Sequence, residues 1–171
     1  MSDFSHQRHK PFVSLDRPRE LIVACAPMRS NINLSRIVRT AGCCGVRQVI
    51  CCGTAKIIDK IARDSIDDDN DSAVEIQVHR TLAPPLRELK RAGFRLVGLE
   101  QTSNSVCLHE FGFDRRTVLV LGNERHGLDE EVLSLVDRVV EIPVYGLPHS
   151  YNVATAAAMA LYEFCRQYPR G

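Results

Sequence analysis

Three stretches of the sequence set polar, chemistry-bearing side chains directly against apolar runs. The first is Asn33-Leu34-Ser35-Arg36-Ile37-Val38-Arg39-Thr40-Ala41-Gly42. Leu34, Ile37, Val38 and Ala41 recur at i, i+3, i+4 and i+7, which predicts one buried helical face. Arg36 and Arg39 then project together from the opposite face, and Asn33 or Ser35 can cap the helix start. Paired arginines near a helix N-terminus can clamp a phosphate, although solvated helical arginines are commoner. The second stretch, Leu119-Val120-Leu121-Gly122-Asn123-Glu124-Arg125-His126-Gly127-Leu128, runs from an apolar strand into a polar turn bounded by two glycines. Ligands of open α/β sheets bind beyond the carboxyl ends of strands, so this turn is a candidate site. The plainer alternative is a glycine turn carrying a surface Glu124. The third stretch, Ile142-Pro143-Val144-Tyr145-Gly146-Leu147-Pro148-His149-Ser150-Tyr151-Asn152-Val153, also leaves a strand and enters a helix, stiffened on the way by Pro143, Gly146 and Pro148. There Ser150 or Asn152 could serve only as a cap.

These stretches need a frame to bring them together. Leu21–Ala26, Val46–Cys52, Phe94–Leu99 and Thr117–Leu121 read as buried strands, with Ile76–His79 and Arg138–Ile142 as shorter ones. Helices are predicted over the Leu34–Ala41 run, over Leu86–Ala92 ending at Gly93, over Leu128–Val136, and over Asn152–Gln167. Strands alternating with helices predict an α/β fold with a largely parallel sheet flanked by helices. No internal repeat or linker interrupts the pattern. Residues 20–171 are therefore expected to form one domain, behind a polar, proline-punctuated arm at 1–19 that is expected to be poorly ordered. The final helix is apolar nearly all round. Val153, Ala156, Ala157, Ala160, Leu161 and Phe164 make one face, and Ala154, Ala158, Met159, Tyr162 and Cys165 cover much of the rest. A helix of this kind is covered on both sides, which predicts a partner subunit over the face its own sheet leaves free.

With 171 residues, 44% apolar and 25% charged, the chain suits one globular domain and excludes global disorder. No apolar run reaches the ~18–20 residues that cross a bilayer, and the opening MSDFSHQRHKPF lacks the apolar stretch of a secretory leader. A soluble, cytoplasmic protein without a membrane partner is expected. The net charge of +1 conceals an asymmetry. Asp64–Glu75 carries six acids and no base, which leaves the remainder basic and able to attract phosphate. Seven cysteines, none in a C-x-x-C pair, do not describe a metal site. Most sit in apolar stretches and are expected to pack as reduced thiols. There is no G-x-x-x-x-G-K-[ST] and no G-x-S-x-G, and the turn Pro27–Asn33 is without glycine. These features argue against P-loop, hydrolase and Rossmann sites.

In their order and spacing, the three polar stretches resemble the motifs of the SpoU/TrmH branch of the SPOUT superfamily. Its members are RNA 2′-O-ribose methyltransferases that use S-adenosyl-L-methionine (AdoMet). Asn33 with Arg39-Thr40-Ala41 matches the first motif, and Leu121-Gly122-Asn123-Glu124 with Gly127-Leu128 matches the second. Ile142-Pro143, Gly146 and Ser150-Tyr151-Asn152-Val153 match the third. The resemblance covers about residues 20–168. It implies a C-terminal deep trefoil knot, an AdoMet pocket inside it, and a homodimer with the active site near the interface. Asn33, Arg39, Glu124, Ser150 and Asn152 match catalytic or substrate-positioning residues of the family. Leu99, Leu121, Gly122, Asn123, Ile142, Leu147, Tyr151 and Val153 match its cofactor wall, with S-adenosylhomocysteine as product and no metal. Arg29, Arg36 and Arg39 would contact the RNA. The chain departs from the family at Tyr151, where leucine is usual, and at Ala154, where serine is frequent. It is also acidic at Asp64–Asp71, where a basic stretch is expected, and no separate RNA-binding domain is expected.

The implied reaction is attack of a ribose 2′-hydroxyl on the AdoMet methyl. Two rivals remain open at this point. One is a non-catalytic knotted RNA-binding or assembly protein, against which the presence of all five polar residues speaks. The other is an AdoMet enzyme for a non-RNA substrate, which the paired arginines disfavour. Among RNAs, Asn33-Leu34-Ser35 is most similar to the tRNA guanosine enzymes, with rRNA as second choice.

Overall fold

Along β1 (Leu21–Cys25) every residue is buried, because Leu21, Val23 and Cys25 face one layer while Ile22 and Ala24 face the other. A strand covered on both faces belongs inside a parallel sheet, where crossover helices shield each side. The computed structural model describes residues 5, 10–53 and 74–171. Within them β1 is followed by α1 (Asn31–Cys43), β2 (Gln48–Cys52), β3 (Glu75–His79), α2 (Ala83–Arg91) and β4 (Arg95–Leu99). Then come β5 (Val106–Cys107), β6 (Thr117–Leu121), α3 (Glu130–Leu135), β7 (Arg138–Glu141) and α4 (Val153–Gln167). The seven strands pair in parallel throughout, in the order β3-β2-β1-β6-β4-β7-β5. The α/β fold expected from the alternation of strands and helices is the fold found. The acidic stretch Asp64–Asp71 lies outside the described residues, as do residues 1–4 and 6–9 of the expected arm.

Helices α1 and α4 share one face of the sheet. Leu34, Ile37, Val38 and Ala41 of α1 join Ala154, Ala157, Ala160, Leu161 and Phe164 of α4 over Leu21, Val23 and Cys25. On the other face, Leu86 of α2 and Val132 of α3 cover Ile22 and Ala24. Having left β7, the chain crosses to the α1 face, and α4 ends against the connection from β5 to β6. There the Gln167 side chain donates to Phe111 O and accepts from Phe113 N, each at 2.8 Å. The lead-in to β1 is fastened to the same end of α4, since Asp16 N donates to Arg170 O at 2.9 Å and Arg19 Nη1 to Tyr168 O at 2.6 Å.

Several local features differ from the sequence-based expectations, each for a physical reason. Helix α1 begins at Asn31, and its cap is Ser30, whose hydroxyl accepts from Asn33 N at 3.2 Å. Neither Asn33 nor Ser35 caps it, which frees the Asn33 side chain for other contacts. Helix α2 begins three residues earlier than its apolar pattern, with prolines in the first turn, where a missing N–H costs nothing. Strand β5 has only two residues, too few for any periodic signal. Helix α4 keeps to its pattern: its own sheet covers one side, and Met159 and Tyr162, 37% and 73% exposed, stand on the face that the sheet leaves free. Three of the seven cysteines, Cys25, Cys51 and Cys52, are buried, but Cys43 is exposed and the other three are half-buried. Among the described residues, no helix is long and apolar enough to cross a membrane.

Candidate active site

The carboxyl ends of β4, β6 and β7 open into a cavity of about 540 Å3. Its apolar wall comes from Leu99, Leu121, Ile142 and Val153, one from each strand end and one from the start of α4. The polar part of the lining includes Asn33, Glu100, Asn123, Glu124, Glu141, Ser150 and Asn152. This is where an open parallel sheet offers free backbone groups to a ligand.

The turn after β6 is held from three directions. Asn123 and Gly127 exchange both backbone hydrogen bonds at 2.9 Å. Asn123 Oδ1 accepts from Arg125 N at 2.9 Å and His126 N at 3.3 Å, while its Nδ2 donates to Pro27 O at 2.6 Å, beyond β1. Glu100, just past β4, accepts from Leu128 N at 3.1 Å. Gly127 has φ +66°, a conformation that favours glycine, and a Cβ there would also displace the Glu100 carboxylate from Leu128 N.

From this turn Glu124 reaches back to the start of α1. One carboxylate oxygen accepts from Arg29 N at 2.9 Å; the other accepts from Ser30 N at 2.9 Å and Asn33 Nδ2 at 3.1 Å. A carboxylate in this place satisfies orphan N–H groups and complements the positive end of the helix. Asn33 Oδ1 in turn accepts from Asn152 Nδ2 at 3.1 Å, and Asn152 Oδ1 caps α4 by accepting from Ala154 N at 2.9 Å. The polarity of this chain is fixed at both ends. A carboxylate can only accept and helix N–H groups can only donate, so both amides between them have one allowed orientation. Glu124, Asn33 and Asn152 thus join the starts of α1 and α4 at the cavity mouth.

Burial works to raise the Glu124 carboxyl, but the N–H groups of Arg29, Glu124 itself and Ser30, with the Asn33 amide, outweigh it and hold the pKa below its ordinary value. A group depressed on folding contributes stability that is present above its unfolded pKa, about 4.3, and is lost as pH falls through the lower folded value. Glu124→Gln should therefore melt below wild type at pH 7, and the gap should close progressively as pH falls below about 4. A gap independent of pH in thermal melts would show that the charge is not what anchors α1.

The SpoU rRNA Methylase family matches residues 20–162. The chain belongs to this SpoU family. A relative in Escherichia coli K12, named tRNA (guanosine(18)-2′-O)-methyltransferase, is 31% identical over 151 residues, which cover 88% of this chain and 65% of the relative. The chain therefore spans just under two thirds of that relative's length. Among solved structures, the A. aeolicus TrmH/SpoU tRNA modifying enzyme superposes with a TM-score of 0.77 at 31% identity, covering 91% of this chain and 82% of that one. The SpoU methyltransferase AviRb from Streptomyces viridochromogenes, solved in complex with AdoMet, gives 0.73 at 26% identity, covering 92% and 64%.

Most residues singled out by the SpoU motifs meet at the cavity. Asn33, Glu124, Ser150 and Asn152 line it, with Leu99, Leu121, Gly122, Asn123, Ile142, Tyr151 and Val153. Leu147 does not; it stands outside the lining, 81% exposed. Arg39 is also outside the lining, on the exposed face of α1 beside Arg36, with Arg29 exposed just before the helix. Glu100, Gln101, Glu141, Val144 and Ala156 line the cavity without having been singled out. Glu100 and Glu141 could have been found as the charged residues at the ends of apolar strand runs. Among the described residues, no three His, Cys, Asp or Glu side chains stand together as metal ligands.

Proposed function

We propose that the chain transfers a methyl group from AdoMet to a ribose 2′-hydroxyl of RNA, at a guanosine of tRNA in first place and in rRNA in second. The Glu124–Asn33–Asn152 chain, set at the mouth of a cavity made by three strand ends, carries this reading. The E. coli relative's name and the AdoMet complex of AviRb support it. The lining fits AdoMet: Leu99, Leu121, Ile142 and Val153 offer an apolar wall, Gly122 lies in the lining beside them, and Glu100 and Glu141 suit a ligand with cationic groups. Asn123, Tyr151 and Val153 complete the holding set, while Leu147 would have to move inward to join it.

When bound, AdoMet supplies a methyl group on a sulfonium that departs as the neutral thioether of S-adenosylhomocysteine. The chain's own work is then alignment and the management of one proton. Asn33, immobilised between Glu124 and Asn152, orients the ribose, and Ser150 and Asn152 present polar groups at the mouth. Glu124 positions Asn33. Arg39, charged at any physiological pH, is a poor base; it grips phosphate and stabilises the developing 2′-oxyanion. Because it stands outside its own cavity, it acts where the RNA, or a second subunit, closes over the mouth. Arg29 and Arg36 extend the basic strip along the RNA. Isothermal calorimetry should show binding of both AdoMet and S-adenosylhomocysteine, and mass-spectrometric mapping should find one RNA 2′-O-methyl missing in cells without the protein. No binding of either compound at millimolar concentration would sink the assignment.

The crossing of α4 behind the β5–β6 connection, tied at Gln167, is the place where the deep trefoil knot would close. Residues 20–171 form a single methyltransferase domain in this proposal, with 1–19 as its arm. The setting is the cytoplasm, which suits seven free cysteines. The assembly is a homodimer through the open side of α4, where Tyr151, Met159 and Tyr162 are exposed together with Ile32 at the start of α1. Obligate interfaces are large and apolar, so light scattering at micromolar concentration should return twice the chain mass. Tyr162→Glu should shift it toward the monomer.

A further inference from the structure

Away from the cavity, the ends of α1 and α4 meet in a cluster that methyl transfer does not use. Cys44 is the C-cap of α1, and Cys165 lies in the last turns of α4. Cys165 Sγ donates to Cys44 O at 3.7 Å, which sets the two cysteines side by side. Arg19 lies beside them. It is only 9% exposed; its Nη1 donates to Tyr168 O at 2.6 Å, and its guanidinium rests over the Phe164 ring at 5.9 Å. A Cβ at Gly45, next to Cys44, would come within 3.5 Å of Arg19 Nε. Among the described residues, that buried Nε has no hydrogen-bond partner. A buried guanidinium with an unmet donor is costly unless an anion can form nearby. The thiol pair is the group able to supply one.

We infer that Cys165 and Cys44 form a peroxide-reactive thiol pair, with Arg19 as the cation that readies Cys165 for oxidation. The Cys44 thiol and then Arg19's charge, working against burial, lower the pKa of Cys165, while its partnership with Cys165 and burial raise that of Cys44. With Arg19's charge beside the pair and its Sγ already turned to Cys44 O, Cys165 is assigned as the attacking sulfur and Cys44 as the resolving one, since the thiolate is the nucleophile. The Cys165 thiolate attacks one oxygen of a hydroperoxide, the O–O bond breaks, and Cys165 becomes a sulfenic acid as hydroxide, or alkoxide, leaves. Cys44 then attacks that sulfur. The S–S bond forms, the S–O bond breaks, and the departing hydroxide takes the Cys44 proton as water. The two thiols lose two electrons and the peroxide gains them. Cys25 and Cys51 are also neighbours, facing one another across β1 and β2, but they are buried and shielded from oxidant.

The test uses the reduced full-length protein, treated with a few equivalents of hydrogen peroxide, quenched with iodoacetamide, digested and analysed by mass spectrometry. A Cys44–Cys165 cross-linked peptide, two hydrogens lighter, is expected, with Cys43 alkylated and Cys25 and Cys51 still reduced. In Cys44→Ser, a 1,3-dione should trap the Cys165 sulfenic acid. Arg19→Met should slow oxidation of Cys165 by about tenfold or more, the equivalent of one pKa unit of lost thiolate stabilisation. If Arg19→Met does not fold, Arg19→Lys, which keeps the charge, should oxidise within about threefold of wild type and still form the cross-link. Because the new bond would close a loop of more than 100 residues, melting of the oxidised protein should rise by about 5 °C or more. Cross-linking through Cys43, oxidation of Cys165 no faster than that of Cys43, or a wild-type rate in Arg19→Met would each overturn the inference.

Discussion

Arg39→Lys should lower kcat by about 100-fold or more while leaving AdoMet affinity within about twofold of wild type. Lysine keeps the positive charge but loses the planar fork and its bidentate reach. If Arg39 supplied only long-range attraction for RNA, the substitution would be nearly silent. If it holds phosphate and the 2′-oxygen in fixed geometry, the loss should match that of one oxyanion donor, about 2.7–4 kcal/mol. The fold explains why the cofactor should not notice. Arg39 is on the exposed face of α1, six residues beyond Asn33, which is about 9 Å along the helix axis at 1.5 Å per residue. It does not line the cavity, and the opposite face of its helix is packed by Ile37, Val38 and Ala41, all buried. Single-turnover methylation with saturating AdoMet, read beside calorimetry, separates the two effects. Turnover like wild type, or a defect that lies wholly in AdoMet binding, would refute the clamp.

The parallel sheet was legible because its central strands are buried on both faces, so Leu21–Ala26, Val49–Cys52, Leu96–Leu99 and Val118–Leu121 read as apolar runs rather than alternating ones. The face of α1 was legible for the opposite reason, a clean helical spacing with arginines across from it. The polar chain at the cavity was only half legible. Glu124, Asn33 and Asn152 stood out individually, but nothing in a linear sequence says that residues 91 and 119 positions apart share hydrogen bonds. Chain order also misled at the start of α1. Ser30 caps it, and Asn33 is thereby released to join Glu124. The all-round apolarity of α4 pointed to a face that its own sheet leaves free, and Met159 and Tyr162 are exposed there. The Arg19 cluster had no sequence signal at all, because it assembles residues from the lead-in, the end of α1 and the end of α4.

Gly122→Ala should abolish measurable AdoMet binding, a loss of about 100-fold or more, and lower stability by roughly 1–3 kcal/mol, the range for inserting a methyl group into a packed site. Gly122 has an ordinary backbone conformation, so the requirement is space and not φ. A Cβ there would collide with the backbone of Gly127 and come within 2.7 Å of Leu128 N. Backbone cannot rotate away as a side-chain tip can, so the turn between Asn123 and Gly127 would have to open. Its paired hydrogen bonds are the ones that place Asn123 under Pro27 and Glu124 at the start of α1. One methyl group would therefore disturb the cavity wall and the Glu124–Asn33–Asn152 chain together. Gly112→Ala is the control: its Cβ meets nothing within 4 Å and its φ is not positive, so stability should stay within about 0.5 kcal/mol and AdoMet binding should not change. Calorimetry and thermal melts on both variants decide the matter. If Gly122→Ala binds AdoMet within threefold of wild type and melts at the same temperature, the close approach of Gly122 to Gly127 is not what shapes the site.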